Sequence, residues 1–313
     1  MLENFPNRRV MLSTSAASLA VLSAGAKEPD KSPGWIDAHS HIWTNKVDRY
    51  PLVAGLTKGD LNPASFTDEE LLAVAQPQGV ERVVLIQHSL YHLFDNSYLV
   101  DTVRRHPKRF RVVGMIDDSQ PQAAAKMKRL LKQGVTGFRI TPFIRDEKPE
   151  QWLDTPGMQE MWKTGAETRQ AMCCLIDAAH LAGVDKMCAK YPDTPVVIDH
   201  LARIGVDGEI READIKSLCR LARHEHVYVK VSAFYALGKK RPPHLELAPL
   251  IERVVEAFGA KRLMWASDSP YQLQGENNYK ASIELVRDRL DFLSDEDRQW
   301  LLRKTAEQVY FFA

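Results

Sequence analysis

The chain has 313 residues, enough for one large domain or two small ones, with 44% hydrophobic and 27% charged residues, ordinary values for a protein with a sizeable core. Its 42 Lys and Arg stand against 41 Asp and Glu, a net charge of +1. That balance argues against a nucleic-acid partner, which calls for a basic surplus or stripe. The four cysteines, Cys173, Cys174, Cys188 and Cys219, form no C-x-x-C and no metal-type spacing, so they read as small core hydrophobes.

The first 26 residues stand apart. Arg8-Arg9 precedes a charge-free run over 10–26 that is rich in Ser, Ala and Leu and ends Ala24-Gly25-Ala26 before Lys27. A basic segment, an apolar segment and an A-x-A site in that order make a cleavable signal. The arginine pair followed by Val-Met-Leu resembles a twin-arginine export signal. The expectation is an exported, periplasmic or extracytoplasmic protein, off the membrane once the signal is cleaved, with one domain over 27–313.

From Trp35 onward, short apolar runs alternate with amphipathic stretches. Strands are predicted over 35–42, 81–88, 110–117, 135–140, 171–177, 195–200, 227–232 and 262–268, where near-continuous Val, Ile and Leu suits strands buried on both faces. Between them Thr67-Asp68-Glu69-Glu70 opens a helix with a capping-box pattern. Further helices are predicted over 120–133, 157–169, 179–190, 212–224 and 246–258. Eight strands alternating with helices predict an α/β fold, the (β/α)8 TIM barrel, with a doubly wound open sheet as the alternative.

Polar residues collect at the predicted C-terminal strand ends: His39 and His41, Gln87 and His88, Asp117, Arg139, Asp199 and His200, Lys230 and Ser232, and Asp268. A closed barrel brings these ends to one rim, where active sites of this fold sit. Within Asp37-Ala38-His39-Ser40-His41, a regular strand would turn Asp37, His39 and His41 to one face. Two imidazoles side by side with a carboxylate behind them suit a metal or a catalytic centre. Of the other histidines, His106, His180, His224, His226 and His244 read as surface residues.

The stretches IDAHSHIW (36–43), VVLIQHSLYHLFDNSYLVD (83–101), GFRI (137–140), VIDHLAR (197–203), VKVSAFY (229–235) and LMWASDSPY (263–271) run in order from end to end. Together they resemble the amidohydrolase superfamily, and within it the amidohydrolase-related lactonase branch that includes 2-pyrone-4,6-dicarboxylate lactonase and sugar-lactone hydrolases. The resemblance implies a TIM barrel that opens a cyclic ester with water. Two departures matter. Binuclear members carry a bridging Lys on strand four and a His on strand five; this chain has Arg139 and the Cys173-Cys174-Leu175 stretch, and a guanidinium cannot bridge two metals. His39, His41, His200 and Asp268 are left to hold one divalent ion, zinc first, or to work without a metal.

In either case Asp268 is the expected general base, with His39, His41 and His200 polarising the carbonyl if no metal does so, and Asp37 is expected to orient His39 from behind. By the same resemblance Arg139, Arg145 and Arg203 would grip an anionic substrate through bidentate bonds. Gln87 is a candidate substrate hydrogen-bonder and Tyr235 a candidate pocket wall. The partner expected is therefore a small lactone or carboxylate. Two other functions stay open: a zinc-dependent decarboxylase of the same superfamily, and a catalytically silent exported barrel that binds a sugar acid.

Overall fold

A computed structural model of the chain describes residues 34–144, 151–153 and 155–312. The export signal and Arg145 lie outside the described residues. Eight strands, β1 (Trp35–Ser40), β2 (Val80–Ile86), β3 (Phe110–Gly114), β4 (Val135–Ile140), β5 (Ala171–Cys174), β6 (Val196–Ile198), β7 (Val227–Ser232) and β8 (Leu263–Ala266), follow one another in a single sheet in chain order. Every adjacent pair from β1 to β8 is parallel. The ring is closed between β1 and β8 by backbone bonds from Asp268 N to His39 O, 2.8 Å, and from His41 N to Ser269 O, 2.7 Å. Closure selects the TIM barrel over the open sheet.

Helices α1 (Asp68–Ala75), α2 (Ser97–Arg105), α3 (Ala123–Leu131), α4 (Pro156–Thr168), α5 (Leu181–Lys190), α6 (Glu212–Arg220) and α7 (Ala248–Phe258) link successive strands. The capping box of α1 forms as its sequence requires: Thr67 Oγ1 accepts from Glu70 N at 3.3 Å and Thr67 N donates to Glu70 Oε2 at 2.6 Å. Each strand presents one residue set outward to these helices, such as Val83, Leu85, Met172, Ile198 and Trp265. The alternate set, including Val84, Ile86, Val113, Val197 and Met264, fills the lumen.

Four helices lie beyond the predicted set, α2 and three that complete the fold: α8 (Tyr279–Glu284), α9 (Asp295–Gln299) and α10 (Thr305–Tyr310). Ala306, Val309 and Tyr310 of α10 pack into the luminal cluster with Ile36, Ala38 and Cys173. Polar and charged residues in 295–304 mask this apolar face when the sequence is read alone. The four cysteines are free, and Cys173, Cys174 and Cys188 are buried in the core as expected. His180 and His244 are buried rather than on the surface, with the His244 ring against Phe234 at 5.9 Å. No helix among the described residues is long and apolar enough to cross a membrane.

Candidate active site

Several strands end earlier than their apolar runs suggest, and the polar residues follow on the connecting turns. β1 stops at Ser40, β2 at Ile86, β6 at Ile198 and β8 at Ala266, so His41, Gln87, Asp199, His200 and Asp268 sit just past the strand tips. The first two histidines owe their placement to an irregularity. Asp37 pairs with Val83 and Ser40 with Leu85, so Ala38 and His39 together face the single residue Val84. This bulge shifts the alternation by one. His39 and His41 turn toward the lumen, while Asp37 turns to the helix side, against the expectation that all three share a face.

Asp37 therefore does not orient the His39 ring. Its carboxylate accepts from His39 N (3.0 Å), Ser40 Oγ (2.8 Å), Ser267 N (2.9 Å), Ser267 Oγ (2.6 Å) and the Tyr279 hydroxyl of α8 (2.7 Å). It is a fastening across the β1–β8 seam. The group behind His39 is instead Asp199, whose Oδ1 lies 3.7 Å from His39 Nδ1. Lys230 Nζ stands 3.0 Å from that same oxygen and 3.3 Å from His39 Nδ1. Both Lys230 and Asp199 are fully buried. Burial raises the Asp199 carboxyl, but Lys230 and His39 outweigh it and hold the group well below the usual range, ionised at neutral pH.

On the cavity side three ligand-type atoms converge. His39 Nε2 and His41 Nε2 are 3.3 Å apart, and Asp268 Oδ1 is 3.4 Å from each. His41 Nδ1 is committed to Ile86 O at 3.0 Å, which aims Nε2 at this point. Burial pushes the His41 imidazole down to about 3. It also pushes His39 well down, with Lys230 adding to the effect, so both rings are neutral and carry lone pairs. A tetrahedral ion with bonds near 2.05 Å would place its ligand atoms roughly 3.3 Å apart. The N, N, O set matches that spacing, so these residues fit a single divalent metal.

Neither Arg139 nor Cys173 offers a donor to a second metal. Arg139 extends along β4 to put Nη2 3.3 Å from His39 Nε2, and burial pushes the Cys173 thiol up to about 11. That thiol faces the Tyr310 hydroxyl instead, 3.3 Å away.

His200 reaches the same floor by a different device. His200, Leu201, Ala202 and Arg203 run consecutively in the left-handed region, with φ of 53°, 54°, 53° and 54°. None is glycine, and this conformation costs an L-residue about 1–2 kcal/mol. The strained turn brings His200 Nε2 to 3.8 Å from Asp268 Oδ2 and fixes its ring through a 2.8 Å bond between Nδ1 and Ser232 Oγ. Asp268 is itself left-handed, φ 58°, and accepts from the Tyr235 hydroxyl at 2.8 Å through Oδ2. Burial raises the Asp268 carboxyl above the ordinary value, with His200 and Tyr235 opposing. Strain concentrated here marks a site whose geometry is held by its surroundings.

Above this floor opens a cavity of about 380 Å³ whose lining includes His41, Arg139, His200, Arg203, Tyr235 and Asp268. His39 lies just beneath it, fully buried. Arg203 meets Asp177 at 3.2 Å. Gln87 points elsewhere: its Nε2 donates to Leu93 O at 3.1 Å and Asp95 O at 2.8 Å, and it supports the loop after β2 rather than facing the cavity. Asp117 likewise turns to Ser119. Trp152 and Trp162 are buried in the core. Tyr271, carried by the Ser-Asp-Ser-Pro-Tyr stretch, was not singled out from sequence; it lines the cavity and hydrogen-bonds His88.

The amidohydrolase family model matches residues 36–312, and the chain belongs to the amidohydrolase family. Its relatives place it in that family's lactonase branch. The L-fucono-1,5-lactonase of Burkholderia ambifaria is 31% identical over 239 residues, 75% of this chain and 80% of the relative. The 4-sulfomuconolactone hydrolase of Rhizobium radiobacter is 26% identical over 75% of each chain. Among solved structures, a zinc-bound amidohydrolase from Burkholderia multivorans superposes with a TM-score of 0.75 at 22% identity, covering 89% of this chain and 99% of that one.

Proposed function

We propose that this protein hydrolyses a lactone. The carrying observation is the convergence of Asp268 with His39, His41 and His200 on the cavity floor, in a chain whose relatives act on lactones. Asp268 takes a proton from the attacking water as the water oxygen bonds to the ester carbonyl carbon. The ring C–O bond then breaks, and the leaving oxygen takes that proton from Asp268, giving a hydroxy acid. Burial suits Asp268 to this exchange by raising its basicity. Tyr235 holds Oδ2 and leaves Oδ1 facing the histidine pair. We assign the His200 proton to Nε2, with Nδ1 accepting from Ser232 Oγ 2.8 Å away, so that the ring offers it to the carbonyl oxygen, a contribution of about 3 kcal/mol for one good donor.

The metal proposed is zinc, held by His39, His41 and Asp268, a choice supported by the ligand types and by the zinc-bound structural relative. Zinc at this point would lower the pKa of the attacking water toward ~7. Arg139 lines the cavity, which suits its guanidinium to hold an anionic or carbonyl oxygen of the substrate. The decarboxylase alternative calls for a further histidine on the rim. Among the described lining residues His88 is the remaining one, and its Nδ1 already accepts from Tyr91 N while Nε2 meets Tyr271. We place the enzyme outside the cytoplasm on the strength of residues 1–26, which cell fractionation checks.

The test is acid release from a panel of sugar lactones, muconolactones and alkyl lactones, with zinc supplied. Asp268→Asn should lower kcat/KM at least ~10³-fold while the protein stays folded. A panel with no turnover, or an Asn variant as active as the parent, would overturn the assignment.

A further inference from the structure

Five large hydrophobic side chains are exposed among the described residues. Three of them, Leu90 at 66%, Phe143 at 43% and Ile144 at 36%, ring the mouth of the active-site cavity. Leu175, Val206 and Leu237 carry the same surface inward. Apolar surface left exposed in one place and continuous with a cavity marks a binding site for hydrocarbon.

The described polar groups that line the cavity are three histidines, two arginines, two tyrosines, Ser89, Thr141 and Asp268. Asp268 is the sole carboxylate among the described lining residues, and neither Asn nor Gln is among them. A polyol loses its water on entry and needs fixed partners for each hydroxyl, which carboxylates and amides supply best. The two tyrosine hydroxyls are already engaged, Tyr235 with Asp268 and Tyr271 with His88. Arg203 is paired with Asp177 at 3.2 Å, and its guanidinium lies 5.0 Å from the Phe143 ring centre. It extends the apolar shelf more than it offers a free charge.

We propose that the substrate is a lactone carrying an alkyl or aryl substituent. Its ring ester lies against Asp268, and its hydrocarbon leaves the cavity between Leu90, Phe143 and Ile144. This inference rests on the lactonase reading above. A volume of about 380 Å³, at the small end for ligand sites, accommodates the ring and the first few carbons.

Hydrolysis of γ-lactones bearing 4-alkyl chains from methyl to hexyl, beside hexonolactones, tests it. Each added methylene should raise kcat/KM about threefold, so that hexyl exceeds methyl by on the order of a hundredfold. Leu90→Ser and Phe143→Ser should each reduce that gain. Leu90 is two-thirds exposed, so its replacement leaves packing intact and the reduction reads the site. A flat response to chain length, with hexonolactones turned over faster, would remove this inference and leave the lactonase assignment standing. No turnover of any lactone would remove both.

Discussion

Where the strands begin, α10 inserts Val309 and Tyr310 among Ile36, Ala38, Val84 and Met264, and the lumen is packed with hydrocarbon. Where the strands end, the same lumen holds His39, Arg139, Asp199, Lys230 and Ser232, all buried, and the turns above carry left-handed residues at His200–Arg203, Ala233 and Asp268. One end is a packed core whose left-handed positions are mostly glycines, Gly79, Gly134 and Gly259, with Arg169 the exception; the other is a polar network whose left-handed residues carry side chains. Packing at the bottom offsets the cost of the top, and chemistry is confined to the end that is strained. Lys230 stands at the join, its Nζ 5.5 Å from the Tyr310 ring below and 3.0 Å from Asp199 beside it.

Replacing Lys230 should therefore damage both ends. Lys230→Met leaves the buried Asp199 carboxylate with Arg139 Nη2, 3.7 Å from Oδ2, as its remaining cation, and loss of the closer partner should cost about 3 kcal/mol. Urea unfolding should show that loss, and activity should fall with it because His39 loses its flanking charge. A variant as stable as the parent would show that Asp199 takes up a proton instead of remaining ionised.

Tyr310→Ala isolates the lower end. Emptying this fully buried ring position should cost about 3 kcal/mol through lost burial and the cavity left behind. KM should stay within about twofold, since Tyr310 does not line the catalytic cavity. A KM that moves tenfold would join the two ends that the structure holds apart.

The smallest effect is expected at the seam. Asp37→Asn preserves shape but sets an amide N–H₂ against a site where all five partners donate. A cost of about 2 kcal/mol follows from one buried donor left unmatched, read as a lowered melting temperature. Ser267→Ala in the same background should then cost less than it does alone, because the two changes share a hydrogen-bond network.

Much of this was legible in the chain. Val- and Ile-rich runs spaced by amphipathic stretches specify buried strands and covering helices, and Thr67 with Glu70 caps α1 through atoms three residues apart. The convergence of His39, His41, His200 and Asp268 also follows from sequence once eight strands close into a ring, because every strand tip then reaches one rim. Gln87 shows the limit: its position at a strand end was right for the site, yet two loop carbonyls claim its amide. Residue type and spacing place a side chain near a site but do not say which of several nearby acceptors it takes.

Local pattern thus determined what is set within a few residues: apolar periodicity, helix caps and the order of strands. Tertiary structure alone decided the bulge at Ala38–His39, which depends on how β1 registers against β2. It decided the left-handed turn at His200–Arg203, whose strain no isolated segment would hold. It also replaced Asp37 with Asp199 behind His39, because a one-residue shift in register reverses which side chains face the lumen.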